Sequence, residues 1–106
     1  MVALEQISDF GRRIGREFRA ERVVLFGSHA EGSATQDSDV DLLVVAPFEG
    51  KSVHVSVAIR MKLRPKFPVD LIVRTPEMVK NRLAMGDTFI KEILEEGKVL
   101  YEADHH

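Results

Sequence analysis

The chain has 106 residues, a formal net charge of −2 and no cysteine. That length supports one compact domain, the missing thiols exclude disulfides and thiolate metal sites, and the small net charge argues against direct nucleic-acid binding through a general electrostatic footprint. No apolar run approaches a membrane span and no signal-peptide pattern opens the chain, so a reducing cytoplasm is the expected location.

Residues 1–104 are expected to form a single domain. His105 and His106 read either as the remnant of a purification tag or as a native tail, and no chemistry is built on them. Leu4, Ile7, Gly11, Ile14 and Phe18 fall near helical spacing, with Arg12, Arg13, Arg16 and Glu17 filling much of the other face. A helix over Ala3 to Ala20 follows. Val23-Val24-Leu25-Phe26 is a short buried strand that runs into Gly27-Ser28. The small polar residues from His29 to Gln36 predict a helical turn and a loop. Asp39 to Ala46 is a second strand, closed by Pro47.

Lys51 to Arg64 is ambiguous. Val53, Val55, Val57, Ile59, Met61 and Leu63 alternate, which is the strand period, yet Val53, Val57 and Met61 also lie at i, i+4 spacing. Its length favours a helix. Val69 to Val73 is a third strand. Thr75-Pro76-Glu77 opens a helix, with a Thr cap and Pro at its first position. That helix stops near Gly86. A last helix carries Phe89, Ile90, Ile93 and Leu94, and Val99-Leu100-Tyr101 adds a short edge strand. The fold class is α/β (α+β): a small mixed sheet of three to four strands packed with helices.

The chemistry concentrates around Gly27-Ser28 and the acidic cluster that opens the second strand. Side chains alternate along a strand, so Asp39 and Asp41 share one face while Val40 points to the core. Two carboxylates facing one way repel unless a cation neutralises them. Hard oxygen ligands suit Mg²⁺, which binds through one or two carboxylates plus substrate phosphates. Asp70 opens the third strand and adds a third carboxylate if that strand lies beside the second. Gly27 lets a phosphate approach the backbone, and Ser28 offers a hydroxyl and helical-turn amides. A calcium loop fails: Asp37, Asp39 and Asp41 match its first ligands, but Leu42 and Phe48 occupy the Gly and Glu positions.

Gly27, Ser28, Gly32, Ser38, Asp39, Asp41 and Leu42 spell G-S-x-x-x-G-x-x-x-x-x-S-D-x-D-L. This resembles the signature of the DNA polymerase β-like nucleotidyltransferases, most closely the minimal nucleotidyltransferases. Phe67-Pro68-Val69-Asp70-Leu71-Ile72 resembles the family's third-carboxylate strand, and Gly86 to Tyr101 its usual C-terminal end. The resemblance also implies that Lys51 to Arg64 is a helix.

By that resemblance Gly27, Ser28 and Ser38 hold the nucleoside triphosphate, ATP in the first instance. Asp39, Asp41 and Asp70 bind Mg²⁺ or Mn²⁺ and are catalytic, Asp70 helping to deprotonate the acceptor hydroxyl. The family often has Arg after the Gly-Ser pair and again two residues on; here those places hold His29 and Glu31. Minimal nucleotidyltransferases typically pair with a small all-helical HEPN protein as antitoxin to a toxin. The resemblance therefore implies adenylyl transfer to a HEPN partner, with an acceptor site completed by a second chain. A weak or inactive partner-binding domain of the same fold, or an enzyme acting on a small molecule, are the competing expectations.

Overall fold

The structure is a computed structural model and describes residues 2–104. The expectation for His105 and His106 lies outside them. Strands β1 (Arg22–Phe26), β2 (Val40–Val45), β3 (Val69–Arg74) and β4 (Lys98–Glu102) form one mixed sheet in the order β3-β2-β1-β4. β1 is antiparallel to both β2 and β4, whereas β2 and β3 run parallel. The helices are α1 (Leu4–Glu17), α2 (Ser28–Glu31), α3 (Ser52–Leu63), α4 (Pro76–Ala84) and α5 (Thr88–Glu96). Every expected element is present, with ends shifted by a few residues.

The two central strands are apolar on both faces because helices cover both. Val23, Leu25, Val40, Leu42, Val44, Val69 and Val73 join Ile7, Phe10 and Ile14 of α1 and Ile59 and Leu63 of α3 in one core cluster. Val24, Leu43 and Val45 point the other way and meet Ile93 of α5, with Val79 of α4 packed alongside. Strands buried on both faces read as continuous apolar runs, which is why β1 and β2 stand out in the sequence.

The stripe on α1 is rotated from the expected one. Leu4 is 48% exposed, while Phe10, absent from the expected stripe, is buried. Phe10 also meets Phe67 edge to face at 5.5 Å. The rotation is set by Gly11 and Gly15, which turn toward β4. A Cβ on Gly11 would come within 2.7 Å of Leu100, and one on Gly15 would strike the Tyr101 ring. Two mid-helix glycines cost about 1 kcal/mol each in propensity; the close helix–strand approach offsets that cost.

β2 and β3 are parallel, so the chain must cross over between them, and α3 is that crossover. The alternating residues of α3 then divide into two opposite stripes. Val55, Ile59 and Leu63 face the sheet, and Val53, Val57 and Met61 face outward. The i, i+4 set singled out in the sequence is thus the exposed one, and the buried one is its complement.

The other helices start as their sequences dictate. Thr75 Oγ1 accepts from the Met78 N–H at 3.1 Å, and Pro76 opens α4. Asp87 caps α5, accepting from Phe89 N–H at 2.9 Å and Ile90 N–H at 3.1 Å.

Helix propensity alone says that Gly15→Ala stabilises the protein. The Tyr101 contact says the reverse. We expect a net loss of about 1–2 kcal/mol, overpacking of roughly 1–3 kcal/mol outweighing the propensity gain. Thermal unfolding followed by circular dichroism checks this; a raised midpoint would show that α1 does not press on β4 as described.

Candidate active site

The site is built by strand register. Phe26 pairs with Asp41 across β1 and β2, and Asp41 pairs with Asp70 across β2 and β3. Paired residues on adjacent strands project to the same face, so Phe26, Asp41 and Asp70 form a row about 4.8 Å apart from strand to strand. That is the face covered by α4 and α5 further along, over Leu43 and Val45. Asp39 lies one residue ahead of β2 and is exposed; Val40, between the two aspartates, is fully buried on the opposite side. The structure therefore brings Asp39, Asp41 and Asp70 to one edge of one face.

Asp41 is the electrostatic centre of the group. Burial raises its carboxyl above the ordinary carboxylate range, and the neighbouring Asp70 and Asp39 push it further in that direction. His29 acts in the opposite sense. Hard oxygen donors held close enough to repel one another suit a divalent cation of the Mg²⁺ type. Among the described residues no three His, Cys, Asp or Glu side chains close into a ready-made cage. This arrangement fits an ion that takes one or two carboxylates and completes its shell with waters and substrate phosphates.

Gly27 links β1 to α2 and abuts this group. Its φ of +76° and ψ of −156° are open only to glycine. A Cβ there would also collide with the Asp41 carboxylate. Ser28 is the first residue of α2, where amides lack intrahelical acceptors. Ser38 is placed differently from a residue reaching into the site. Its Oγ accepts from the Thr35 N–H at 2.9 Å and lies 3.3 Å from Thr35 Oγ1, so the hydroxyl closes the turn that precedes Asp39.

Two features escaped the sequence reading. The sequence marks His29 only as standing where the family often has Arg; in the structure its Nε2 lies 3.3 Å from the Ser38 carbonyl and ties α2 to the acidic loop. Spacing carries no signal of that bond. The second is a groove of about 220 Å³ between α2 and α5, adjoining Gly27. Phe26 and Phe89, edge to face at 5.8 Å, form its apolar side, and Glu31, Glu92 and Glu96 line it with negative charge. The strand alternation of Phe26 was legible, but its meeting with Phe89 required the fold.

Comparison with known proteins bears on the fold and the family. Residues 13–106 match the family model described as polymerase beta, nucleotidyltransferase. A Methanocaldococcus jannaschii protein provisionally named a protein adenylyltransferase is 31% identical over 83 residues, covering 78% of this chain and 80% of that protein. A provisionally assigned nucleotidyltransferase of Sulfolobus solfataricus superposes with a TM-score of 0.61 at 20% identity, over 93% of this chain and 79% of its own. A toxin–antitoxin complex with AMP-PNP gives a TM-score of 0.58 at 19% identity, over 92% and 74% of the two chains. A mutant MntA–HpeT toxin–antitoxin complex gives 0.57 at 22% identity, over 98% and 76%. A carboxylate row beside a glycine turn, on a sheet of this topology and with this sequence match, places the chain in the polymerase β-type nucleotidyltransferase family.

Proposed function

We propose that this nucleotidyltransferase is a metal-dependent adenylyltransferase that moves AMP from ATP to a hydroxyl group on a protein partner. The observation that carries the reading is the lateral pairing of Asp41 with Asp70, immediately beside Gly27. Asp39, Asp41 and Asp70 would hold Mg²⁺ or Mn²⁺, whose charge would offset that of the triphosphate and polarise the reacting phosphate. Gly27 gives the triphosphate access to the backbone, and Ser28 supplies a hydroxyl and an amide donor. Asp70 accepts the proton of the acceptor hydroxyl. The acceptor oxygen then bonds to the α-phosphorus as pyrophosphate leaves.

The partner we favour is a small all-helical HEPN-type toxin, silenced by adenylylation, with this chain as antitoxin. The relative named for protein adenylyl transfer and the toxin–antitoxin structures support it. A cysteine-free chain that consumes ATP suits the reducing cytoplasm. A second reading keeps the fold as a partner-binding domain without catalysis. His29 and Glu31, standing where the family often has Arg, favour that reading, because two positive charges beside the phosphates are absent.

Three measurements separate these readings. In calorimetry, ATP binds wild type at least about tenfold more tightly with Mg²⁺ than without, and Asp41→Asn loses that difference. Equal affinity with and without Mg²⁺ excludes the metal-bridged site.

The second measurement follows from the raised carboxyl of Asp41. A raised native pKa means that folding binds a proton, so this group's contribution to stability falls as pH rises from the unfolded value of about 3.9 through the native one. At neutral pH, without metal, Asp41→Asn is expected to melt a few degrees higher than wild type at most, since the group is largely solvated. The advantage should fade as pH falls well below the unfolded value of about 3.9, where Asp41 becomes protonated in both states. An Asp41→Asn melting point at or below that of wild type at pH 7 contradicts the like-charge cluster.

The third is the reaction. Wild type with labelled ATP and Mg²⁺ transfers the label to a co-expressed HEPN-type protein, and mass spectrometry finds an added adenylyl group. Asp39→Asn and Asp41→Asn each reduce transfer at least about a hundredfold. No transfer from wild type leaves the binding-domain reading; transfer only to small molecules moves the acceptor.

A further inference from the structure

The outer face of α3 has no partner within the described chain. Val53, Val57 and Met61 are 57%, 47% and 70% exposed. Spaced four residues apart, they form one straight apolar stripe about 12 Å long. Their presence is not required by the fold, because Val55, Ile59 and Leu63 already dock the helix on the sheet. Solvent alone gives no reason for branched and thioether side chains at three successive turns of one face.

The charge carried by α3 and the segment after it has one sign. Residues 51–68 carry Lys51, Arg60, Lys62, Arg64 and Lys66, five of the chain's 15 Lys and Arg, and none of its 17 Asp and Glu. Arg60 donates to the Val69 carbonyl at 2.6 Å, and Lys62 pairs with Glu17 at 2.9 Å. Among the described residues Lys51, Arg64 and Lys66 enter no ion pair. In a chain of net charge −2 this is a positive patch around an apolar seam.

We propose that α3 is a docking helix for a partner protein, and that the occupant is an amphipathic helix with an apolar stripe flanked by Asp and Glu. An apolar seam of this length and straightness matches helix-to-helix packing, and the unpaired cations match acidic flanks. Single-stranded nucleic acid fits poorly, since bases need exposed aromatic platforms; of the two aromatic-ring side chains in this stretch, Phe67 is half-buried against Phe10 and His54 is one isolated imidazole. A second copy of the chain fits poorly too. Its acidic helix, α5, is a different surface, and head-to-tail pairing of unlike surfaces does not close a dimer.

The location has a mechanistic consequence. α3 covers the sheet face opposite to Asp41 and Asp70. A partner helix seated there leaves the carboxylate row and the neighbouring groove open, so the docked partner can present an acceptor hydroxyl from elsewhere on its surface or from a neighbouring copy. The inference rests on the reading of this chain as one half of a two-protein system.

The test uses the full chain and the purified HEPN-type protein as the probe. Wild type and Asp41→Asn should bind it equally. Val57→Glu combined with Met61→Glu should weaken binding at least about tenfold, with an unchanged melting temperature and unchanged affinity for Mg²⁺-ATP. Lys51→Glu combined with Arg64→Glu should also weaken binding, and should flatten its dependence on salt. Wild-type affinity in the Val57/Met61 variant overturns the inference while leaving the proposed reaction intact. Self-association of wild type that the same variant abolishes makes a second copy the occupant and overturns it as well. Failure of wild type itself to bind the probe removes the two-protein reading, and the inference with it.

Discussion

Two like charges are held side by side by a hydrogen-bonded sheet, and the rest of the molecule is arranged to make that possible. The parallel register of β2 and β3 sets Asp41 directly beside Asp70. Neither carboxylate gains from this placement without a cation. The offsetting stabilisation comes from the other face of the same strands, where Val40, Leu42, Val44, Val69 and Val73 are buried together. The start of the pair is fastened twice: the Val40 N–H donates to the Pro68 carbonyl at 3.0 Å, and Arg60 of α3 holds the Val69 carbonyl. Asp41 and Asp70 are therefore positioned by backbone pairing and core packing, with no bond between them required, and Asp39 lies one residue ahead of the paired segment.

Gly27 carries a related constraint. It ends β1 in a conformation closed to other residues, at a point where even one methyl group would strike Asp41. The turn thus brings bare backbone against the most strongly perturbed carboxyl of the site. His29 follows two residues later and spends its ring on the Ser38 carbonyl. That bond joins α2 and the glycine turn to the acidic loop, so the two segments are mechanically linked. It also leaves the turn with less positive charge than a pair of arginines would bring.

α3 shows how one amphipathic pattern serves two surfaces. Alternating apolar residues on a helix fall into two stripes roughly 180° apart, because two residues advance it by about 200°. One stripe closes the core under β2 and β3. The other lies on the outside amid cations. The same helix that positions Asp70 through Arg60 thereby offers a surface on the far side of the sheet from the chemistry.

Much of this was legible in the residues. The apolar runs of β1 and β2, the Thr75-Pro76 helix start and the aspartate alternation around Val40 depend on local stereochemistry, which acts over a few residues and leaves a pattern in the chain. The signature around Gly27 and Asp41 was legible for the same reason: a turn that only glycine fits, followed by carboxylates at strand spacing. What needed the tertiary structure was every relation between elements distant in sequence. Lys51 to Arg64 is equally consistent with strand and helix periodicity, and the parallel pairing of β2 with β3 decided it by demanding a crossover. The α1 stripe departs from its periodicity at Leu4 and Phe10 because the rotation of that helix is set by Leu100 and Tyr101, some 90 residues further along the chain. The bond from His29 to Ser38, the engagement of the Ser38 hydroxyl by Thr35, and the outward turn of Val53, Val57 and Met61 also belong to the fold. Periodicity identifies which residues share a face, and only packing determines which face is covered.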